Sequence, residues 1–209
     1  MKKLFTLLMV ALISISASAQ IAQDAYNKWH QNKFSMFIHF GLYSVYGGVY
    51  NDKPVTFGYS EQIQSFAGIF SDWYGDTALE FDPVKFNADE IVALAKEAGM
   101  RSIVITTKHH DGFCMFKTAT TDYNSVDATP SKRDYVKELS DACRRGGLNF
   151  AIYFSPIDWH FPHAYPISSH NCDFITPQHH EFTKAQVTEL LTNYGPVSEL
   201  WFDMGSNRP

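Results

Sequence analysis

The fold is decided by a short stretch near the C-terminus, Glu199-Leu200-Trp201-Phe202-Asp203, which a glycine at position 205 soon follows. Successive side chains of a β-strand point to opposite faces, so Glu199, Trp201 and Asp203 would share one face. Asp203 would then lie where the strand ends and a loop begins. In barrels of alternating strands and helices, catalytic groups lie at this C-terminal end of the strands. A carboxylate beside an aromatic ring at that position is typical of sugar chemistry.

The composition is that of an ordinary globular protein. The chain has 209 residues, of which 45% are hydrophobic and 19% charged, with a formal net charge of −5. This charge gives no reason to expect a nucleic acid or an anionic membrane surface as a partner. Aromatic residues make up 15% of the chain, which favours a large core or an aromatic-lined carbohydrate cleft over a flexible module.

Residues 1–19 have the pattern of a removable signal peptide. Two lysines precede an apolar run that begins at Leu4, and Ala17-Ser18-Ala19 is a small-residue cleavage site. The run is too short to span a bilayer comfortably, and no later segment is a candidate span. The alternative is an ordinary N-terminal helix. We predict export to the periplasm or the extracellular space after cleavage near Ala19, with residues 20–209 belonging to one catalytic domain.

Strands and helices alternate along the rest of the chain. Asn87 is a candidate N-cap for the first helix, Gly99 ends that helix, and Gly146-Gly147 ends the second. Long irregular segments are expected over 43–70 and 161–178, and long loops inside compact domains are usually functional. The predicted strands are 34–41, 101–109, 149–155 and 199–203, and the predicted helices are 88–98, 131–145 and 181–194.

Hydrophobic periodicity predicts which faces of these elements are buried. The residues expected to face inward are Ile91, Leu94 and Ala95 on the first helix and Val187, Leu190 and Leu191 on the third. On the first strand, Phe37 and His39 share a mixed face that suits a barrel interior, and the opposite face is continuously apolar. In the third strand, Tyr153 is expected to point inward, because Phe150, Ile152 and Phe154 share the other face.

The alternation of strands and helices implies a parallel sheet with right-handed crossovers, which two α/β architectures can supply. An open doubly wound sheet usually carries a glycine-rich phosphate turn after its first strand, and no such motif occurs here. Polar and aromatic residues instead gather at the end of every strand, which favours a (β/α)₈ TIM-like barrel. A complete barrel takes ~250 residues, so we expect this chain to supply about the first four strands and to be a truncated N-terminal part.

The candidate site residues lie at four strand ends: His39, then His109 and His110, then Tyr153, and finally Trp201 and Asp203. We predict no metal, because the histidines form no H-x-H or H-E-x-x-H pair, and adjacent residues on a strand would point to opposite faces. The three cysteines, Cys114, Cys143 and Cys172, form no zinc signature. We expect them to be small buried hydrophobic residues, with one disulfide left open as an alternative.

Glycoside cleavage requires two carboxyl groups, one on each side of the anomeric carbon. Asp203 suits the nucleophile of a retaining enzyme, because it is short, follows a rigid strand and shares a face with Trp201. Neutral histidines suit sugar hydroxyls, since each can donate one hydrogen bond and accept another.

Several motifs together resemble those of the family 29 glycoside hydrolases, the α-L-fucosidases. The resemblance covers residues 26–205, and its most specific parts are the KHHDGF block and the strand that carries Trp201. In chain order the motifs are Phe37-Ile38-His39-Phe40-Gly41, Tyr59-Ser60-Glu61, Lys108-His109-His110-Asp111-Gly112-Phe113 followed by Asp122, Ser155 with Asp158-Trp159, and Leu200-Trp201-Phe202-Asp203.

The resemblance implies a retaining exo-α-L-fucosidase with a (β/α)₈-like barrel, followed in family members by a β-sandwich. It implies that Asp203 is the nucleophile and that the fucose is held by His39, His109, His110 and Trp201. Glu61 matches an acidic residue of an early loop, where the family more often has a Trp next and this chain has Gln62. Tyr153 matches an aromatic residue of the third strand, where Phe154 replaces a second tyrosine. No cofactor is implied, and the partner would be a fucosylated oligosaccharide or glycoconjugate.

In the family, the general acid/base lies beyond the nucleophile strand, so it is expected beyond Pro209. We therefore expect the 209-residue chain to be an inactive fragment. A role of Glu61 as a substitute acid is left open. The alternatives are a non-catalytic fucose-binding protein on the same scaffold and a glycosidase with another sugar specificity.

Overall fold

The computed structural model describes residues 20, 23–162 and 175–203. The predicted signal peptide, Cys172 and most of the predicted loop 161–178 lie outside these residues. The chain divides into two compact units, Met1–Phe34 and Ser35–Pro209. In the first unit, helix α1 spans 23–30, and the rings of Tyr26 and Trp29 lie 6.0 Å apart on it.

The second unit is an α/β structure with a parallel sheet, as the sequence predicts. The strands are β1 (Ser35–Ile38), β2 (Val49–Tyr50), β3 (Lys53–Pro54), β4 (Ser102–Lys108), β5 (Asn149–Phe154) and β6 (Leu200–Phe202). The helices are α2 (Tyr43–Tyr46), α3 (Ile63–Phe66), α4 (Ser71–Asp76), α5 (Ala88–Glu97), α6 (Tyr135–Gly146) and α7 (Pro177–Asn193). In the described part of the chain, the order across the main sheet is β1-β4-β5-β6, and all neighbours are parallel. Helices connect the consecutive strands of this sheet. Because the four strands are parallel, their C-terminal ends all lie at one edge.

The expectation of a long irregular loop over 43–70 is wrong. This segment contains α2, the antiparallel pair β2 and β3, a 3₁₀ turn at Ser60–Gln62 and α3. These elements form because they bury apolar side chains such as Tyr43 and Ile63, which are 4% and 1% exposed. The elements are only two to four residues long, so they leave no periodic signal in the sequence.

Capping residues set where the longer helices begin. Asn87 accepts hydrogen bonds from the backbone N–H groups of Asp89 and Glu90, which confirms the predicted N-cap of α5. Asp134 caps α6, so that helix begins at Tyr135 and not at Ser131. Helix α7 begins at Pro177, four residues before the predicted start at Glu181, because Thr176 caps it and proline suits the first helical turn.

The predicted inward faces of two helices are partly wrong. Leu94 is 60% exposed, and the buried residues of α5 are Ala88, Val92 and Ala95. The reason is the close approach of α6, where a side chain added at Gly146 would lie 2.3 Å from Val92. On α7, Leu190 is buried as predicted, but Leu191 is 47% exposed.

The two faces of the sheet carry different residues. The face toward the helices holds alternate residues of the central strands, which belong to the main core: Ile103, Ile105, Phe150, Ile152 and Phe154. The opposite face holds a separate buried cluster of Val104, Ala151 and Tyr153. The prediction that Tyr153 points away from its apolar neighbours is confirmed.

The register between β4 and β5 shifts at Thr107, which has no residue opposite it on β5. An extra residue in one strand reverses the alternation of side chains beyond it. Lys108 therefore lies on the helix side, with its Nζ 4.5 Å from the centre of the Phe154 ring. His109 lies on the other side, where its ring stacks on Tyr153 at 5.2 Å. This irregularity places His109 and Tyr153 in the same pocket.

Within the residues described here, no helix combines the length and the apolar character needed to cross a membrane.

Candidate active site

The strand ends bring together the residues that the sequence singled out. His39 follows β1, His109 and His110 follow β4, and Asp203 follows β6. The rings of His39 and His109 lie 5.7 Å apart, and the ring of Tyr153 on β5 lies 5.8 Å from that of His39. The predicted convergence at one edge of the sheet is therefore present.

Asp203 is held by a tyrosine and remains accessible. The hydroxyl of Tyr153 lies 2.7 Å from Oδ2 of Asp203 and donates a hydrogen bond to it. The Asp203 side chain is 41% exposed, so a ligand can reach the carboxylate. Burial, followed by the bond to Asp203, raises the pKa of Tyr153. The phenol therefore stays protonated and remains a donor.

The same phenol links Asp203 to a histidine. The hydroxyl oxygen of Tyr153 lies 3.2 Å from Nε2 of His109. Because the phenol O–H donates its hydrogen bond to the carboxylate, the phenol oxygen can only accept from His109, and His109 Nε2–H is therefore the donor. Nδ1 of His109 then carries a lone pair, and it is buried without a hydrogen-bond partner among the described residues.

His109 and His110 are buried and uncharged at neutral pH. Burial, and then the neighbouring His110, holds the pKa of His109 well below its usual value. Burial lowers the pKa of His110 to about 4, despite the opposing charge of Asp203. Both imidazoles therefore serve as neutral hydrogen-bonding groups.

The prediction that His109 and His110 diverge is wrong, since their ring centres lie 4.3 Å apart. Strand β4 ends at Lys108, and a turn closed by the Gly112 N–H to the His109 carbonyl at 3.0 Å follows it. Strand alternation therefore does not apply to the two histidines.

The close histidines revive the question of a metal. His109, His110 and Asp203 offer ligand atoms within 4.8 Å of one another, and so do His39, Glu61 and His109. Imidazole and carboxylate groups are ligands for zinc and similar cations. One of the two grounds for predicting no metal, the divergence of the His109 and His110 side chains, is therefore absent from the structure. The same donors and acceptors also suit sugar hydroxyls.

An aromatic wall stands beside Asp203. The exposed ring of Trp201 meets the edge of Phe37 at 5.1 Å, and Phe37 stacks on His39 at 5.0 Å. Trp201 is 50% exposed, so it offers a free apolar face to a ligand. Phe37 is a site residue that the sequence did not single out, although strand alternation places it on the same face as His39.

Glu61 lies in the 3₁₀ turn Ser60–Gln62, which brings it close to His39 and His109. Tyr43, which the sequence analysis missed, supports the same corner. Its ring meets His109 edge-on at 5.6 Å, and its hydroxyl lies 3.1 Å from Oγ1 of Thr106. Nothing in the local sequence around Tyr43 marks this contact.

A buried ion pair lies beneath the histidines. Nζ of Lys108 lies 3.1 Å from Oδ2 of Asp158, and these side chains are 0% and 3% exposed. Asp158 also accepts hydrogen bonds from the backbone N–H groups of His160 and Phe161. A side chain at Gly112, which has φ +77°, would lie 2.1 Å from Oδ1 of Asp158. Glycine is thus required where this turn meets the ion pair.

Two further polar residues support the site. Asp111 accepts hydrogen bonds from the hydroxyl of Tyr74 at 2.8 Å and from the Phe113 N–H at 3.1 Å. Burial raises the pKa of Asp111 to about 7. Ser155 lies 2.6 Å from Nδ1 of His110. The sequence signal for Asp111 and Ser155 was their presence in the quoted motifs, which assigned them no role.

The two described cysteines are consistent with the sequence prediction. Within the described ranges, Cys114 and Cys143 are buried free thiols. Burial raises the pKa of Cys143 to about 12.

Comparisons with known proteins agree on one family. The family model described as Alpha-L-fucosidase matches residues 15–209. An α-L-fucosidase 1 from Arabidopsis thaliana is 33% identical over 181 residues, which is 84% of this chain and 29% of that protein. Across the similar curated proteins the chain spans 29% to 41% of their length.

Solved structures give the same result. The crystal structure of an α-L-fucosidase from Vibrio sp. strain EJY3 matches with a TM-score of 0.79 and 39% identity, covering 88% of this chain and 33% of that one. An α-L-fucosidase from Lactobacillus casei in complex with α-L-fucose product matches with a TM-score of 0.76 and 37% identity, covering 88% and 63%.

Proposed function

The chain belongs to the α-L-fucosidase family, and we propose on that premise that it is part of a retaining exo-α-L-fucosidase. The proposed enzyme hydrolyses terminal α-L-fucosyl residues of oligosaccharides or glycoconjugates. Asp203 attacks the anomeric carbon and forms a covalent glycosyl-enzyme, which water then hydrolyses. The observation that carries the proposal is the placement of Asp203, accessible at the end of β6 and bound by Tyr153 at 2.7 Å.

The surrounding groups suit a small sugar. The imidazoles of His39, His109 and His110 and the carboxylate of Glu61 would bind its hydroxyl groups, and Trp201 would cover its apolar face. Because His109 and His110 are neutral, they add no charge that would repel the positive charge developing on the sugar ring.

The parallel sheet suits the first part of a (β/α)₈ barrel, since β1, β4, β5 and β6 follow one another in chain order. We infer that the remaining strands and the general acid/base belong to the part of the family's length that this chain does not match. Glu61 is the carboxylate in the described residues that could serve as a substitute. From residues 1–19 we also propose export, which cell fractionation of the natural host tests directly.

A trapping experiment tests the nucleophile. The full reading frame is incubated with a 2-deoxy-2-fluoro fucosyl fluoride, which forms the intermediate faster than water releases it. We expect the protein mass to increase by one fluorofucosyl group, and fragmentation to place that group on Asp203. Asp203→Gly should not be labelled. Asp89→Ala is the matched control, because Asp89 is an exposed carboxylate paired with Arg145 on the helix side, and it should label normally.

The label also separates the two functions. Binding of L-fucose in calorimetry without any label or turnover would favour the non-catalytic binding protein. A label on another carboxylate would contradict the assignment of Asp203.

If the general acid lies outside this chain, as we infer, its absence makes a difference between two substrates measurable. The 4-nitrophenolate of an activated 4-nitrophenyl fucoside leaves without help from an acid. The cleavage of a natural glycan without a general acid is slower by ~10²–10⁴. We expect the 209-residue chain to show that pattern if it turns over substrate at all. If the rate of this chain relative to a full-length enzyme is the same on both substrates, the acid lies within this chain. Glu61→Gln would then test whether Glu61 is that acid.

A further inference from the structure

Ser155 lies directly after β5 and is fully buried. Its Oγ lies 2.6 Å from Nδ1 of His110 and 3.0 Å from the carbonyl oxygen of Ile157. The hydroxyl thus connects the backbone to one of the two neutral histidines at the site. Family membership assigns it no role.

Which group donates and which accepts in the hydrogen bonds of Ser155 follows from counting protons. A serine hydroxyl has one proton and the Ile157 carbonyl can only accept, so Ser155 O–H donates its hydrogen bond to Ile157. The Ser155 oxygen then accepts from Nδ1–H of His110. A neutral imidazole carries one N–H, so Nε2 of His110 holds a lone pair. The reverse order would leave the Ile157 carbonyl without this donor.

Nε2 of His110 faces the proposed nucleophile. It lies 3.9 Å from Oδ2 of Asp203, which is too far for a direct hydrogen bond. It is also buried without a hydrogen-bond partner in the described part of the chain. Two acceptors thus face each other, an arrangement that suits a ligand hydroxyl donating between them and is unfavourable when nothing donates.

We propose that Ser155 is a positioning residue that holds His110 in the Nδ1–H form, so that Nε2 accepts a hydrogen bond from a ligand hydroxyl instead of donating one to Asp203. Only the identity of that ligand as a fucosyl group rests on the proposed function. Without the Ser155 oxygen, Nδ1–H has no acceptor, whereas Nε2–H can move toward a carboxylate. A charge-assisted bond to Asp203 would then favour the other tautomer. The nucleophile would be occupied, and the acceptor for the ligand would be lost.

The tautomer is measured by ¹⁵N NMR of the histidine rings in the 209-residue chain, with His110 assigned from the signals lost in His110→Gln. In the wild type we expect a protonated-type shift for Nδ1, an unprotonated-type shift for Nε2, and a cross-peak between the Nδ1 proton and the Ser155 β-protons. In Ser155→Ala we expect the two ring shifts to exchange. A protonated Nε2 in the wild type, or an unchanged tautomer in Ser155→Ala, overturns the proposal.

Ser125→Ala is the matched control. Ser125 is also fully buried, and its hydroxyl has no hydrogen-bond partner in the part of the chain described. It should leave the His110 shifts unchanged. The wild-type cross-peak keeps the proposal testable if Ser155→Ala does not fold.

Activity gives a second measurement, in the full reading frame. We expect Ser155→Ala to lower kcat/KM on the order of 10²-fold, the upper range seen when a group that orients a working histidine is removed. Ser125→Ala should keep wild-type activity. If the trapping experiment fails but the tautomer is as stated, only the proposed function falls. If Asp203 is labelled but Nε2 carries the proton, only the role of Ser155 falls.

Discussion

The hydroxyl of Tyr153 donates to Oδ2 of Asp203 at 2.7 Å while its oxygen lies 3.2 Å from Nε2 of His109. The bond from Tyr153 to Asp203 affects the two steps of the proposed reaction differently, because the charge on Asp203 changes between them. Asp203 loses its negative charge when it bonds to the sugar and regains it when water releases the sugar. A donor to the carboxylate therefore assists the second step more than the first.

Tyr153→Phe should slow release of the sugar more than its attachment. The lost bond to a charged group corresponds to about 1.5–3 kcal/mol, or roughly 10–150-fold in rate. Stopped-flow assays with 4-nitrophenyl fucoside should then show a burst followed by a slower steady state. Tyr123→Phe is the control, since the Tyr123 hydroxyl is buried without a hydrogen-bond partner among the residues described. A fall in the burst rate with no change in the steady state would contradict this reasoning.

Lys108→Met should destabilise the protein strongly. It leaves Asp158 buried without its cation, which typically costs about 3–5 kcal/mol. The double variant Lys108→Met/Asp158→Asn should recover most of this loss, because the amide oxygen still accepts the backbone bonds of His160 and Phe161. Urea unfolding measures both. If the double variant is no more stable than Lys108→Met alone, the unpaired charge is not the cause.

Gly112→Ala and Gly99→Ala separate strain from collision. Both glycines have φ +77°, but only Gly112 has an atom close to an added side chain, Oδ1 of Asp158 at 2.1 Å. The left-handed backbone alone should cost Gly99→Ala about 1–2 kcal/mol. Gly112→Ala should lose a further 1–3 kcal/mol or so, typical of overpacking. If thermal and urea unfolding show the same loss of stability in Gly112→Ala as in Gly99→Ala, Asp158 moves aside freely.

Asp111→Asn should change how stability depends on pH. Burial raises the pKa of Asp111 to about 7 from 3.8. Between these values the folded protein keeps a proton that the unfolded chain releases, so the free energy of unfolding falls as pH rises. The variant lacks this effect, and its stability relative to the wild type should increase from pH 4 to 7 by up to about 1.4 kcal/mol per pH unit. The contributions of His109 and His110 have the opposite sign, but they are common to both proteins and cancel.

Above pH 7 the difference between Asp111→Asn and the wild type should be constant. Urea unfolding at a series of pH values checks both ranges. A difference that stays constant from pH 4 to 7 would show that Asp111 is ionised in the folded protein throughout.

The sequence predicts the arrangement of the main sheet because each strand and helix is long enough to show its own periodicity. It also predicts that His39, Tyr153 and Asp203 meet, since parallel strands present their C-terminal ends at one edge. It does not predict the short elements between β1 and α5, which are stabilised by contacts distant in sequence. It also does not predict the orientation of His109 and His110, which depends on a register shift between two strands and on the turn that follows Lys108.

The unmatched residue Thr107 has a consequence for how the site tolerates change. Without Thr107, Thr106 would still lie opposite Tyr153 and Lys108 opposite Phe154, and the pairing between the two strands would become regular. Paired residues of neighbouring strands share a face, so Lys108 would stay beside Phe154 and His109 on the side of Tyr153. Removing a regularly paired residue of β4, such as Ile103, would instead reverse the faces of the residues on one side of the deletion. A deletion of a single codon should therefore be tolerated better at Thr107 than at Ile103.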